Sequence, residues 1–432
     1  MHKPTKGDGT IDRAKLNDLA QQSRQRSVRL RVGTLLDGAS QAPMRDADLV
    51  FTAQEIVSVT PHDGAEPDLW LKEATVLPCL IEAHAHLFLD GAPVNFQQRE
   101  QYLKETPEYM LSRARARWPK ILECGIGAVR DAGDKHNVGL SLAAESKQFA
   151  SVLRPTPYID SPGAAIHHKG RYGSFMGQPV EDHASPAACV ASRVQQGADR
   201  IKLLVSGIIN FKVGQVTTPP QMSVDEVREF VAAAHEHHRQ TFAHASGTEG
   251  VEHSIEGGVN TVEHGFFITP EQLAKMRDRN IAWVPTFAPV QVQIDRAAEL
   301  GWSDEIVSHL KRIIESHQNM LRLAHEMGVR LVAGSDAGSC GVAHGVGFLW
   351  ELEQMQRAGV PAWAVINSAT GTSAATLHFP EKIGRLAPHH RARFIITEHN
   401  PLQAVANLQR QKTILFDGRA VHAPDTVDTD GL

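Results

Sequence analysis

The sequence predicts an α/β fold: a (β/α)8 TIM barrel carrying a small β-sandwich domain built from both chain ends. Three observations predict it. Between residues 76 and 383, short strand-like apolar runs alternate with amphipathic helical stretches, the pattern of βαβ units on a parallel sheet. Six polar residues, His84, His86, Lys202, His244, His264 and Asp336, fall at or near the C-terminal ends of those runs. That is where such a barrel gathers its functional groups. The flanking residues 29–75 and 384–424 are instead β-rich runs split by turn residues.

Taken in order, residues 1–28 are polar, with only 11–19 suited to one short helix, and read as a tail or arm. Runs at 28–32, 47–51 and 55–59 are expected to pair with runs at 393–397 and 412–419 into the small β domain. Barrel strands are expected at 76–84, 126–131, 152–159, 200–205, 240–245, 259–264, 281–285 and 329–335. Helices at 223–238 and 303–327 belong to the outer ring, the first opened by a capping box of Ser223 and Glu226.

Composition sets the class. A chain of 432 residues accommodates one barrel of about 250 residues and an accessory domain. With 42% hydrophobic and 22% charged residues, it has no apolar run near the ~18 residues of a membrane span. A net charge of −5 gives no support for nucleic acid or an anionic membrane as partner. The start, Met1 to Gly9, lacks the apolar core of a secretory signal, so the cytoplasm is expected. Cys79, Cys124, Cys189 and Cys340 lie far apart, which suits neither a disulfide framework nor a zinc–thiolate site; Cys340 is expected to pack, with lining a pocket near Asp336 as the alternative.

The strongest local feature is His84-Ala85-His86. Alternation along a strand sends both imidazoles to one face, where they can hold one divalent ion. With His244, His264 and Asp336 the set offers four imidazoles and a carboxylate, suited to zinc, cobalt, manganese or iron. Lys202 does not fit while it is an ammonium, because a group with an ordinary pKa near 10.4 repels a cation. Reaction with CO2 turns it into a carbamate, an anion with two oxygens able to serve two metals. If that carbamate forms, the cofactors to expect are two divalent ions, zinc first.

This pattern resembles the amidohydrolase superfamily: HxH on strand 1, a carboxylated lysine on strand 4, histidines on strands 5 and 6, and an aspartate on strand 8. The similarity extends over residues 28–420, through Gly125-Ile126-Gly127-Ala128-Val129-Arg130-Asp131-Ala132-Gly133 and Gly334-Ser335-Asp336-Ala337-Gly338 followed by His344-Gly345. Within the superfamily the set is most similar to Xaa-Pro and Xaa-Arg/Lys dipeptidases, ochratoxin-type amidases and phenylurea hydrolases. The resemblance implies a hydrolase of an amide, dipeptide, carbamate or urea C–N bond, acting on a small molecule as a homo-oligomer. It places His84, His86 and Asp336 around the more buried ion, His244 and His264 around the second, and N6-carboxylated Lys202 across both. It further implies attack by a metal-bridging hydroxide, with Asp336 as proton shuttle.

Of several departures from the relatives, among them Cys79, Glu82 and the stretches 206–215 and 388–393, the most serious is one loop. Where dipeptidase-like members carry a Gly-Gly-His-Gly type segment, residues 163–177 place Tyr172 at the histidine position. Tyr172 is therefore the expected donor to a developing oxyanion, with His167 and His168 as alternatives. Arg171, Phe211 and Lys212 are expected to form an apolar pocket with a basic point suited to a carboxylate, and His344 to touch substrate. Two competing functions are a cyclic-amide hydrolase or imidazolonepropionase-like aminohydrolase, against which Lys202 counts, and a non-catalytic metal-binding barrel, against which the retention of all six residues counts.

Overall fold

The computed structural model describes residues 11–151 and 155–423. After one helix, Arg13–Gln22, come four strands: β1 (Val28–Leu35), β2 (Met44–Phe51), β3 (Ile56–Pro61) and β4 (Leu69–Pro78). The central strands are β5 (Leu80–Ala85), β6 (Ile126–Asp131), β7 (Tyr158–Asp160), β8 (Ala165–His167), β9 (Gly177–Pro179), β10 (Ile201–Leu204), the hairpin β11 (Ile209–Asn210) and β12 (Gln215–Val216), β13 (Thr241–Ala245), β14 (Thr261–His264) and β15 (Ala282–Val284). Three more close the chain: β16 (Arg393–Thr397), β17 (Thr413–Phe416) and β18 (Arg419–His422).

The two chain ends do pair, but as one seven-stranded sheet in the order β18-β17-β16-β4-β1-β2-β3 rather than the expected sandwich. The joint is β4, parallel to β1 on one side and antiparallel to β16 on the other. Alternate residues of β1, Val28, Leu30 and Val32, are buried, as a one-sided sheet requires. Their cover includes a helix, Arg13–Gln22, whose Leu16, Leu19 and Ala20 join the same apolar cluster. Asp12 caps it by accepting from the Ala14 and Lys15 amides. The expected N-terminal arm is thus a packed helix over its described part; residues 1–10 lie outside the described residues.

Apart from the antiparallel hairpin β11–β12, the central strands are parallel and form two sheets, β5-β6-β7 and β15-β14-β13-β10-β8-β9. The expected third strand at 152–159 is displaced and split: β7 pairs with β6 and β8 with β10, around Pro162 and a left-handed Gly163 (φ +64°). Residues 152–154 lie outside the described residues. The expected eighth strand at 329–335 holds no regular ladder. Its backbone nonetheless bonds on both sides, Val332 N–H to Trp283 O (3.0 Å) and Ala83 N–H to Ala333 O (3.0 Å), so it lies between β15 and β5.

Helices cover these sheets. Val224–Glu236 carries the expected Ser223/Glu226 capping box, and Asp304–Met327 starts at Ser303 and stops at left-handed Gly328. Among the described residues, no helix is long and apolar enough to cross a membrane.

Candidate metal centre

Glu82 ties the first strand to the last. Its carboxylate accepts from the His84 amide (3.0 Å), the Ser335 amide (2.9 Å) and the Ser335 hydroxyl (2.5 Å), so one buried side chain sets the spacing of β5 and the 330–336 segment. Gly334 permits the approach, since a Cβ there would stand 2.9 Å from that of His84. Burial pushes the Glu82 carboxyl up to about 8 against those hydrogen bonds. The result brings His84, His86 and Asp336 together, with ligand atoms all within 4.8 Å of one another.

Hydrogen bonding fixes how these rings face. His84 Nδ1 lies 2.6 Å from Glu263 Oε2, and Glu263 also accepts from the buried Arg130 guanidinium (2.8 and 2.9 Å). A carboxylate held this way accepts, so His84 carries its proton on Nδ1 and a lone pair on Nε2. His86 Nδ1 donates to the Gly133 carbonyl (3.2 Å), leaving its Nε2 lone pair free as well. Both lone pairs face Asp336 Oδ1, at 3.5 and 3.4 Å.

With Asp336 ionised, three lone pairs meet with no hydrogen between them and repel unless a cation sits among them. Ligand atoms about 2.1 Å from one ion in a tetrahedral shell stand roughly 3.4 Å apart. The separations therefore fit a divalent metal, and His84 Nε2 and Asp336 Oδ1 are indeed buried without a hydrogen-bond partner. Burial pushes the His86 imidazole down to about 3 and His84 well below its usual range, which keeps both neutral and ligand-competent. The same burial pushes Asp336 up to about 7, while its Oδ2 accepts from the Ser339 hydroxyl (2.9 Å).

His264 and His244 stand alongside. The His264 ring centre is 5.0 Å from that of His84 and 4.5 Å from that of His244. His244 Nε2 donates to the Gly207 carbonyl (3.3 Å), and His264 Nδ1 lies 2.7 Å from the Thr286 hydroxyl. Lys202, from β10, ends 4.7 Å above the Phe242 ring with its Nζ buried and no hydrogen-bond partner. Burial lowers its amine to about 8. Both His264 (φ +66°) and Asp336 (φ +56°) hold left-handed backbone, a strain of about 1–3 kcal/mol each that clusters at functional sites.

All six lie around one cavity of about 240 Å³, whose remaining wall is largely apolar: Tyr172, Phe175, Ile208, Phe211, Phe266 and Val290. Of the expected substrate residues, Tyr172 and Phe211 line it. The Tyr172 ring packs 5.1 Å from that of His244, with no partner for its hydroxyl among the described residues.

The others are placed elsewhere. His167 turns Nδ1 to the His168 carbonyl (2.8 Å), and His168 pairs with Glu181 (2.8 Å) and Glu226 (3.1 Å). Arg171 bonds the Pro219 carbonyl (2.6 Å) outside the cavity, and Lys212 is exposed. His344 is buried and absent from the cavity wall, donating to the His86 carbonyl (3.1 Å).

Three residues escape sequence reading. Glu263 and Arg130 are charged residues inside apolar runs, a signal visible in Thr261-Val262-Glu263-His264 and Ala128-Val129-Arg130. Arg99 lines the cavity from the helix Phe96–Tyr102 and leaves no motif. Cys340 also reaches the cavity instead of merely packing.

A family model described as "Amidohydrolase family" matches residues 75–421. The crystal structure of a Xaa-Pro dipeptidase with methionine bound in its active site has a TM-score of 0.78 and 26% sequence identity, covering 92% of this chain and 100% of that one. A. niger ochratoxinase gives a TM-score of 0.75 at 20% identity, covering 92% and 96%. An uncharacterized protein of Mycobacterium bovis is 24% identical over 397 residues, 92% of this chain and 96% of its own.

Proposed function

The chain belongs to the amidohydrolase family, and on that premise we propose that it is a metal-dependent hydrolase of C–N bonds in small amides, dipeptides, carbamates or ureas. The observation that carries this reading is the meeting of two imidazole lone pairs and a carboxylate oxygen beside an unpartnered, buried lysine amine. His84, His86 and Asp336 would hold one divalent ion, zinc first, and His244 with His264 a second. Lys202, carboxylated by CO2 with loss of one proton, would supply an anion to both. When bound, such ions lower the pKa of water and polarise a carbonyl.

The chain's own groups do the rest. Asp336 keeps one oxygen toward the imidazoles and the other on Ser339, so it is placed to take a proton near the first ion and return it to the leaving nitrogen. The Tyr172 hydroxyl is free to donate to an oxyanion. Phe175, Phe211 and Phe266 exclude water and hold the substrate's apolar part. The two parallel sheets belong, in this reading, to one (β/α)8 barrel with the site at the C-terminal strand ends.

Purified protein is expected to contain about two divalent ions per chain by elemental analysis, and to hydrolyse members of a panel of N-acyl amino acids, dipeptides, carbamates and phenylureas. Lys202→Ala should lose both metal and turnover, with partial recovery on addition of small carboxylates. Metal and activity retained in that variant would sink the carbamate, and one ion or none in the native chain would sink the paired centre.

A further inference from the structure

We infer that Arg99 is the anion-recognising residue of this cavity, so that the favoured substrate is an amide whose nitrogen side carries a carboxylate and an apolar side chain, an N-acylated apolar amino acid. This rests on the hydrolase reading above and names its substrate class. Arg99 stands in the helix Phe96–Tyr102, and its guanidinium donates to two main-chain carbonyls, Nη1 to Asp90 O and Nη2 to Gly338 O, both at 2.9 Å. One carbonyl follows β5 and the other follows Asp336, so the cation is fastened between the two loops that hold the first metal position.

Those partners are neutral, and they leave the other N–H donors of the guanidinium unused. No carboxylate among the described residues lies within ion-pairing distance of Arg99. The carboxylates of Asp90 and Asp336 act on this half-buried guanidinium only from beyond contact, and a substrate carboxylate supplies a directly paired charge with matching two-pronged geometry. Because the carbonyls already hold the group in place, little side-chain freedom is lost when the anion arrives.

The neighbours favour the same ligand. Besides Arg99, the only cationic side chain in the cavity wall among the described residues is Lys202, which lies among the imidazoles. Arg171 and Lys212, the basic points expected from sequence, face elsewhere. Phe175 touches both this cavity and an adjoining one of about 200 Å³ that Arg99 also lines, giving room for an apolar side chain next to the bound carboxylate.

The test compares N-acetyl-L-phenylalanine with N-acetyl-2-phenylethylamine, which share a skeleton and differ by the carboxylate. The metal-loaded native protein should prefer the acid in kcat/KM, and Arg99→Met should cut that ratio by about 10- to 100-fold, the worth of a charge-assisted pair. Arg99→Lys should retain part of the ratio. A residue that merely fastens two loops would lower both substrates together and leave the ratio unmoved.

A binding arm separates this inference from the hydrolase reading. The corresponding N-methanesulfonyl compounds cannot be cleaved as amides, and calorimetric titration of the holoprotein should show the acid binding more tightly than its carboxylate-free partner, a preference lost in Arg99→Met. Hydrolysis of neither acetyl compound nor of any amide in the panel, with this binding preference intact, overturns the hydrolase reading alone. Equal affinity for the two sulfonamides, or a preference unmoved by Arg99→Met, overturns the anion site.

Discussion

Glu263 contributes no ligand atom, yet the orientation of His84 depends on it: the carboxylate accepts the hydrogen bond from Nδ1–H and leaves Nε2 facing Asp336. It is also the counter-charge of Arg130, which is 1% exposed and bonds the Ala83 carbonyl and Thr261 as well. Glu263→Gln should therefore weaken metal binding by about 10- to 100-fold in a chelator competition, the usual cost of removing such a partner. It should also destabilise the fold by about 3–5 kcal/mol in urea unfolding, because Arg130 is left buried and unpaired. Unchanged metal affinity would mean that His84 needs no such support. The six residues around the centre were legible because a polar group ending an apolar run costs free energy unless something binds it. Which residue of the 163–177 loop faces inward was not legible, since His167, His168 and Tyr172 differ only in how a turn rotates them.

The elements show where periodicity speaks and where it falls silent. β6, β10, β13, β14 and β15 lie within a residue or two of their expected places, because each is a compact apolar run between turn signals. Two failures have backbone causes. Pro162 and left-handed Gly163 split the third strand, and Gly334 with left-handed Asp336 disturbs the eighth. The helix Arg13–Gln22 was expected over 11–19, but its docking was hidden by composition: Leu16, Leu19 and Ala20 are its only buried positions, too few to stand out in a polar stretch. Leu16 is nonetheless 0% exposed, so Leu16→Ala should cost about 2–5 kcal/mol in denaturant unfolding while metal content stays at the native value. A cost below about 1 kcal/mol would return this helix to the status of a loose arm, since surface changes rarely exceed that.

At the scale of the molecule, several unfavourable terms meet at one place: facing lone pairs on His84, His86 and Asp336, an unpartnered Lys202 amine, and left-handed backbone at His264 and Asp336. Each opposes folding on its own, and their concentration on segments drawn from both parallel sheets means that relieving them stabilises the two sheets together. A ligand that binds only the folded chain adds about 4 kcal/mol when its free concentration is a thousandfold above Kd. Chelation should accordingly lower Tm, and in buffers of defined free zinc Tm should climb with the logarithm of the metal concentration. In Lys202→Ala the same titration should be markedly flatter, because the anion that two ions would share in the proposed centre is gone. A native Tm indifferent to free metal over three decades of concentration would show that these side chains tolerate one another unaided, and the metal centre would have to be abandoned.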